Sequence, residues 1–215
     1  MLAVAGQWDQ RGSYGLPVRD RRRGTTALLT AAHVAGELAR LTEPGAPIEV
    51  HGYGYSFDDP ADPVALGFVT RSLPLLTARK SAHDAALIEA VEPIALGSIV
   101  GNRPVSGLRD ITAPDEEDQI EVRMRGARST LRVGLLDNSS RDRNVRLPDG
   151  RYMFYEGVRF VRADGGFAAH GDSGSVLVDR SDRAVALLVG VQRSSGTGVC
   201  LPLAPTLRAM DCELV

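Results

Sequence analysis

Short strand-like runs limit the fold of this chain more than any other feature. Apolar or alternating stretches recur at residues 27–30, 47–50, 64–71 and 85–90, then at 120–124, 130–136, 151–161, 175–178, 184–191 and 198–203. Each is bounded by turn-forming residues, the pattern expected of many short strands rather than of helices. Helical patterning is confined to two short stretches, one at 35–41 and one at 205–210. With 23 glycines and 12 prolines, the chain has enough turn residues to connect that many strands. The expectation is an all-β protein with a short C-terminal helix. Residues 97–118, rich in Gly, Pro and acid, divide the runs into two groups and read as a connector. The run Asp115-Glu116-Glu117-Asp118 is taken as a solvated face rather than a partner-binding patch. The resulting organisation is 1–100, a connector at 101–119, and 120–215, with an exposed polar loop at 137–149.

The segment His170-Gly171-Asp172-Ser173-Gly174-Ser175-Val176-Leu177-Val178 carries the chemistry. Glycines around Ser173 let the backbone turn sharply and leave the hydroxyl exposed ahead of a buried strand. The same bend can aim the amides of Gly171 and Ser173 at one point, where they would stabilise an oxyanion. Taken alone, Ser173 could also be an ordinary turn serine. A serine nucleophile needs a base and a group to orient that base. Of the four histidines, His33 ends the apolar run Thr26-Ala27-Leu28-Leu29-Thr30-Ala31-Ala32 and is the best base. Asp84, at the mouth of Ala85-Ala86-Leu87-Ile88, is the best orienting carboxylate. His83 and His170 read as wall or surface residues, with His170 able to line a cleft beside the amides.

Leu29-Thr30-Ala31-Ala32-His33, Asp84-Ala85-Ala86-Leu87-Ile88 and Gly171-Asp172-Ser173-Gly174-Ser175 resemble the three signature motifs of the chymotrypsin-like (trypsin-like) serine proteases, as found in bacterial members. They occur in that family's order, 51 and 89 residues apart, and a fourth segment, 122–134, resembles the opening hairpin of the second barrel. An α/β-hydrolase is excluded, because its serine comes first and its second elbow glycine is here Ser175. The resemblance implies two antiparallel six-stranded β-barrels, His33 and Asp84 in the first and Ser173 in the second. It implies a serine endopeptidase with catalytic His33, Asp84 and Ser173, an oxyanion hole from Gly171 and Ser173, and a protein or peptide substrate. The alternative is a catalytically silent or partner-switched domain of this kind, acting as a binding or effector module with a regulatory protein partner.

By the same resemblance, Phe167 stands at the base of the primary specificity pocket, followed by Ala168. No acidic residue is there to attract Arg or Lys, so cleavage after apolar or small residues is expected, or a pocket partly filled by the phenyl ring. His170, Gln192 and Arg193 complete the expected substrate-binding set. The resemblance further gives Asp172 a buried cationic partner. Without an Ile-Val-Gly-Gly-like start, that partner is expected to be an arginine from 122–132, in an enzyme that needs no activating cleavage.

A net charge of −2 argues against a general nucleic-acid or membrane partner. Arg19-Asp20-Arg21-Arg22-Arg23 reads as a hairpin tip between strands. No apolar run approaches the length of a membrane span, and the start lacks the features of a signal peptide. Cys200 and Cys212 have no metal-ligand spacing and are expected to be buried thiols. No cofactor or metal is expected, and a cytoplasmic location is favoured over a secreted mature form.

Overall fold

The computed structural model describes residues 2–4, 7–36, 48–52, 64–73, 79–90, 99–100, 103–113, 117–146 and 152–215. Over the first part of the chain the strands are β1 (Leu2–Val4), β2 (Gln7–Gly12), β3 (Tyr14–Asp20), β4 (Thr25–Thr30), β5 (Ile48–Gly52), β6 (Val64–Ser72), β7 (Lys80–Ser81) and β8 (Ala86–Ala90). Short strands β9 (Ile99–Val100), β10 (Arg103–Pro104) and β11 (Gly107–Leu108) follow. The remainder are β12 (Gln119–Arg125), β13 (Leu131–Arg146), β14 (Tyr152–Arg162), β15 (Val176–Asp179), β16 (Arg183–Gln192), β17 (Thr197–Pro202) and β18 (Cys212–Leu214). Helices α1 (Ala32–Gly36) and α2 (Leu203–Met210) are short. Among the described residues, no helix is long and apolar enough to cross a membrane.

The strands form two large sheets. The first runs β18-β3-β4-β8-β6-β5-β1-β2. In the second, β16, β15, β12, β13, β14 and β17 pair in turn, and β17 pairs back onto β16. Six antiparallel strands thus close on themselves, which removes exposed edges and encloses a core. That core holds Ile120, Met124, Leu136, Val161, Phe167 and Leu177, all essentially inaccessible to water. A separate apolar cluster joins the two sheets: Leu29 and Leu87 of the first meet Val176 and Leu187 of the second, with Leu203 and Leu207 of α2.

Two elements cross between the sheets. β7 leaves the first group and lies parallel to β14, with Tyr155 opposite Ser81. At the other end of the chain, β18 returns to pair with β3, Cys212 opposite Asp20. Arg21–Gly24 does form the tip of the β3–β4 hairpin, with Gly24 at φ +68° where an L side chain would be strained. Cys200 and Cys212 are buried free thiols.

Two local expectations change. Residues 137–146 are not a loop but the far end of β13, paired through Asn144↔Phe154 and Arg146↔Tyr152. Their polar side chains face solvent, and ion pairs such as Arg141–Asp137 (2.9 Å) and Lys80–Asp142 (2.5 Å) replace apolar burial. Residues 147–149 of that expected loop lie outside the described residues. Pro17 lies within β3, the strand before the hairpin tip, where the β3–β4 register shifts and ahead of the first residue that β18 pairs. The helix after His33 begins earlier than expected, at Ala32, and residues 37–41 of the expected span lie outside the described residues.

Candidate active site

Pairing of β4 with β8 determines where His33 and Asp84 meet. Thr30 lies opposite Ala86, so the residues that extend β4 forward and β8 backward run side by side. β4 then gives way to the single turn of α1, whose first bonds return to the Ala31 carbonyl from Val34 and Ala35. In that turn His33 directs both its amide and its ring at one carboxylate. The His33 amide donates to Asp84 Oδ1 at 2.9 Å, and His33 Nδ1 lies 2.5 Å from Asp84 Oδ2. Asp84 is fully buried, and the imidazole is 10% exposed.

A third donor reaches the same carboxylate from the other sheet. Tyr155 on β14 donates its hydroxyl to Asp84 Oδ2 at 2.5 Å. Burial alone would raise the Asp84 carboxyl. The charge and hydrogen bond of His33, the Tyr155 hydroxyl and the His33 amide outweigh it and hold the group below its ordinary range. Burial, the Asp84 charge and this hydrogen bond push the Tyr155 phenol well above its ordinary value, so it remains a donor.

Ser173 sits in a turn whose neighbours are fixed on both sides. Gly171 (φ +106°) and Gly174 (φ +95°) occupy backbone conformations that favour glycine. A Cβ on Gly174 would lie 2.0 Å from the Ser13 carbonyl oxygen and 2.5 Å from Thr30 Oγ1, so the turn packs directly against the strand leading to His33. The Ser13 amide donates to the Ser173 carbonyl (2.7 Å), and the Ser13 hydroxyl donates to the Gly171 carbonyl (3.1 Å). Ala127 donates its amide to that same hydroxyl (2.8 Å), while Thr30 Oγ1 donates to the Ser13 carbonyl (2.8 Å).

Asp172 is fully buried beneath this turn. Its Oδ1 accepts the amides of Arg128 (2.8 Å) and Ser129 (2.9 Å), and Oδ2 accepts the amide of Ala169 (2.8 Å). The 122–132 segment thus reaches Asp172 through backbone N–H groups, whereas the expected partner was an arginine side chain. Among the described residues, the amides of Asp172, Gly174 and Ser175 each donate to a backbone carbonyl, whereas those of Gly171 and Ser173 donate to none.

The expected substrate-binding residues divide. Phe167 and Ala168 donate their amides to the Gly196 carbonyl (2.9 and 3.0 Å), and Gly196 in turn bonds back to the Gln192 carbonyl (2.8 Å). This brings Ala168 and Gln192 to adjoining stretches of chain. His170 as a whole residue is exposed, but partial desolvation lowers its affinity for a proton, and the nearby charges of Arg193 and His33 lower it further. Phe167 is corrected: its ring has no accessible surface and packs within the second barrel, so a substrate cannot touch it. An apolar side chain on a segment between two core-forming strands is drawn inward by burial.

Sequence reasoning missed Ser13 and Tyr155. Ser13 contacts Gly171 across 158 residues, and no motif surrounds it. The sequence Tyr152-Met153-Phe154-Tyr155 does not alternate in polarity; only in the folded β14 do exposed and buried residues alternate, which turns Tyr155 inward, where a buried tyrosine hydroxyl generally needs a polar partner. Among the described residues no group of three His, Cys, Asp or Glu side chains could hold a metal ion.

Solved structures that superpose on this chain include bacterial proteases. Cellulomonas bogoriensis chymotrypsin superposes with a TM-score of 0.59 at 20% identity, covering 100% of this chain and 94% of that one. The fold is chymotrypsin-like. A Nocardiopsis protease gives a TM-score of 0.61 at 18% identity, over 95% and 96% of the two chains. Thermobifida fusca protease A gives 0.55 at 19% identity, over 95% and 91%. No protein-family model and no curated protein sequence matches the chain. The chymotrypsin-like fold is thus evident in three dimensions although no family model and no curated sequence matches over the chain.

Proposed function

We propose that this chain is a serine endopeptidase in which Ser173 is the nucleophile, His33 the general base and Asp84 the group that orients the base. The observation that carries the proposal is the grip of buried Asp84 on His33. One carboxylate oxygen takes the backbone amide and the other takes Nδ1, so the ring is held with Nε2 on its far side. Ser173 would attack a peptide carbonyl as His33 Nε2 removes its proton. The tetrahedral oxyanion would be received by the amides of Gly171 and Ser173, which no carbonyl among the described residues occupies. His33 then hands the proton to the leaving amine, and water hydrolyses the acyl-enzyme by the same route. The chymotrypsin-like fold supports this reading, since its solved examples named above are proteases.

For substrate choice, Ala168 supports a pocket for a small or apolar side chain at the cleaved position. The charge of Arg193, which acts on His170, would disfavour a basic one. Profiling on a peptide library is expected to show that preference; dominant cleavage after Arg or Lys would remove this part of the proposal.

The decisive experiment is labelling by a fluorophosphonate probe, which reacts with activated serines. The purified chain should be labelled and Ser173→Ala should not. Equal labelling of both overturns the assignment of Ser173. Labelling of the parent only after a partner protein is added would instead support the switched module.

A further inference from the structure

We propose that Tyr155 is a positioning residue for the His33–Asp84 pair, holding the carboxylate from the opposite barrel and tempering its pull on the imidazole. The inference rests on the peptidase reading for its kinetic part, and on the geometry of Asp84 alone for its spectroscopic part.

Asp84 Oδ2 accepts two hydrogen bonds, from His33 Nδ1 and from the Tyr155 hydroxyl, both at 2.5 Å. The tyrosine ring is buried with Met153, Val158, Val189 and Leu201 of the second barrel, so its body is fixed by packing while its hydroxyl crosses to the first. The segment that carries Asp84 is laid along the same strand. Ser81 pairs with Tyr155 in the parallel β7–β14 contact, and the Ser81 hydroxyl donates to the His83 carbonyl at 2.6 Å. Backbone pairing and the phenol therefore act on a single four-residue stretch, Ser81 to Asp84. Without the phenol, Asp84 keeps both bonds to His33 but loses its only side-chain tie to the second barrel among the described residues.

Two effects follow, with known signs. A donor on Oδ2 draws charge from the carboxylate, so the imidazolium of His33 is stabilised less than it would be by Asp84 alone. Removing the donor should raise the pH at which His33 loses its proton, and strengthening it should lower that pH. Removing it also frees the carboxylate to shift, which misaligns the base in the transition state without touching substrate.

The test compares the full chain with Tyr155→Phe, which keeps the buried ring, and with 3-fluorotyrosine incorporated at position 155, a stronger donor of nearly the same shape. For Tyr155→Phe, kcat on a peptide or ester substrate should fall about tenfold with KM unchanged, the loss expected for one hydrogen bond to a charged group. The acid limb of kcat/KM should move up by roughly half a pH unit or more, and with 3-fluorotyrosine it should move down. NMR titration of the His33 ring reads the same midpoint without requiring activity. Opposite displacements in the two variants support the proposal. A His33 midpoint that is unchanged in both, or that moves the same way in both, overturns it, even if activity falls. An inactive parent with opposite NMR displacements would remove the peptidase reading and leave Tyr155 in its assigned place.

Discussion

Gly126 offers the sharpest test of how the nucleophile turn is held. A Cβ built there would lie 2.2 Å from Asp172 Oδ1 and 2.5 Å from its Cγ, where an ordinary carbon–oxygen contact needs about 3.3 Å. Gly126→Ala therefore requires the carboxylate or the 126–130 turn to retreat by about 1 Å. The carboxylate cannot do so without loss, because its Oδ1 accepts the amides of Arg128 and Ser129 at 2.8 and 2.9 Å. A shift of that size breaks both bonds, each to a charged, buried acceptor and worth about 1.5–3 kcal/mol. Allowing for partial relaxation, the expected loss is about 3–5 kcal/mol, a large part of the roughly 5–15 kcal/mol that stabilises a domain.

Urea denaturation of parent and variant measures this loss, and the rate of fluorophosphonate labelling reports on Ser173 in whatever fraction remains folded. Gly24→Ala serves as the comparison. Gly24, unlike Gly126, is left-handed, at φ +68°, but nothing lies within 4 Å of its added Cβ, so only about 1 kcal/mol of backbone strain applies. If Gly126→Ala cost no more than Gly24→Ala and labelled at the parental rate, the view of Asp172 as a fixed anchor for the turn would be wrong.

Three further outcomes follow from the same contacts. Asp84→Asn should reduce kcat by about four orders of magnitude, by favouring the wrong imidazole tautomer, and should leave KM nearly unchanged. Because folding lowers the Asp84 carboxyl from its ordinary 3.8, its stabilisation is complete above that value and is lost as pH falls through the lower folded value. Urea midpoints taken down the acid range should therefore show a steeper loss in the parent than in Asp84→Asn, by up to about 1.4 kcal/mol per pH unit, and equal slopes would contradict the shift. Ser13→Ala strips a buried hydroxyl from between the Ala127 amide and the Gly171 carbonyl; it should cost about 1–3 kcal/mol in urea denaturation and slow labelling of Ser173.

Much of this was legible in the sequence because it is local. The β12, β16 and β17 runs, the Gly-Asp-Ser-Gly turn and the histidine at the end of β4 depend on residues within a few positions of one another. What could not be read depends on long-range pairing. The outer half of β13 is polar, so only its register with Tyr152–Tyr155 makes it a strand. Phe167 looked like a pocket base because its neighbours resemble one, but a phenyl ring that can reach an apolar core is held there by the area it buries. Ser13 and Tyr155 are recognisable only once chain segments 158 and 71 residues away are placed against them.

Those two residues also indicate where the candidate site gets its rigidity. Neither barrel contains it alone: His33 and Asp84 rest on the first sheet, the Ser173 turn on the second. Their relative position depends on ties that cross from one to the other. Ser13 ties the Ser173 turn to Thr30, and Tyr155 ties β14 to Asp84. Farther out, Arg71 of β6 bonds the Met210 carbonyl and pairs with Asp20 at 3.1 Å, securing the return of β18 to the first sheet. Each close tie is a directional bond between buried groups, and an apolar interface by itself would let the barrels slide by fractions of an ångström at little cost. A displacement of that size matters for proton transfer between a serine and an imidazole, which must come within hydrogen-bond reach. Polar ties across an apolar seam are thus what this arrangement requires, and their loss should be felt in reactivity at Ser173 before it is felt in the folding of either barrel.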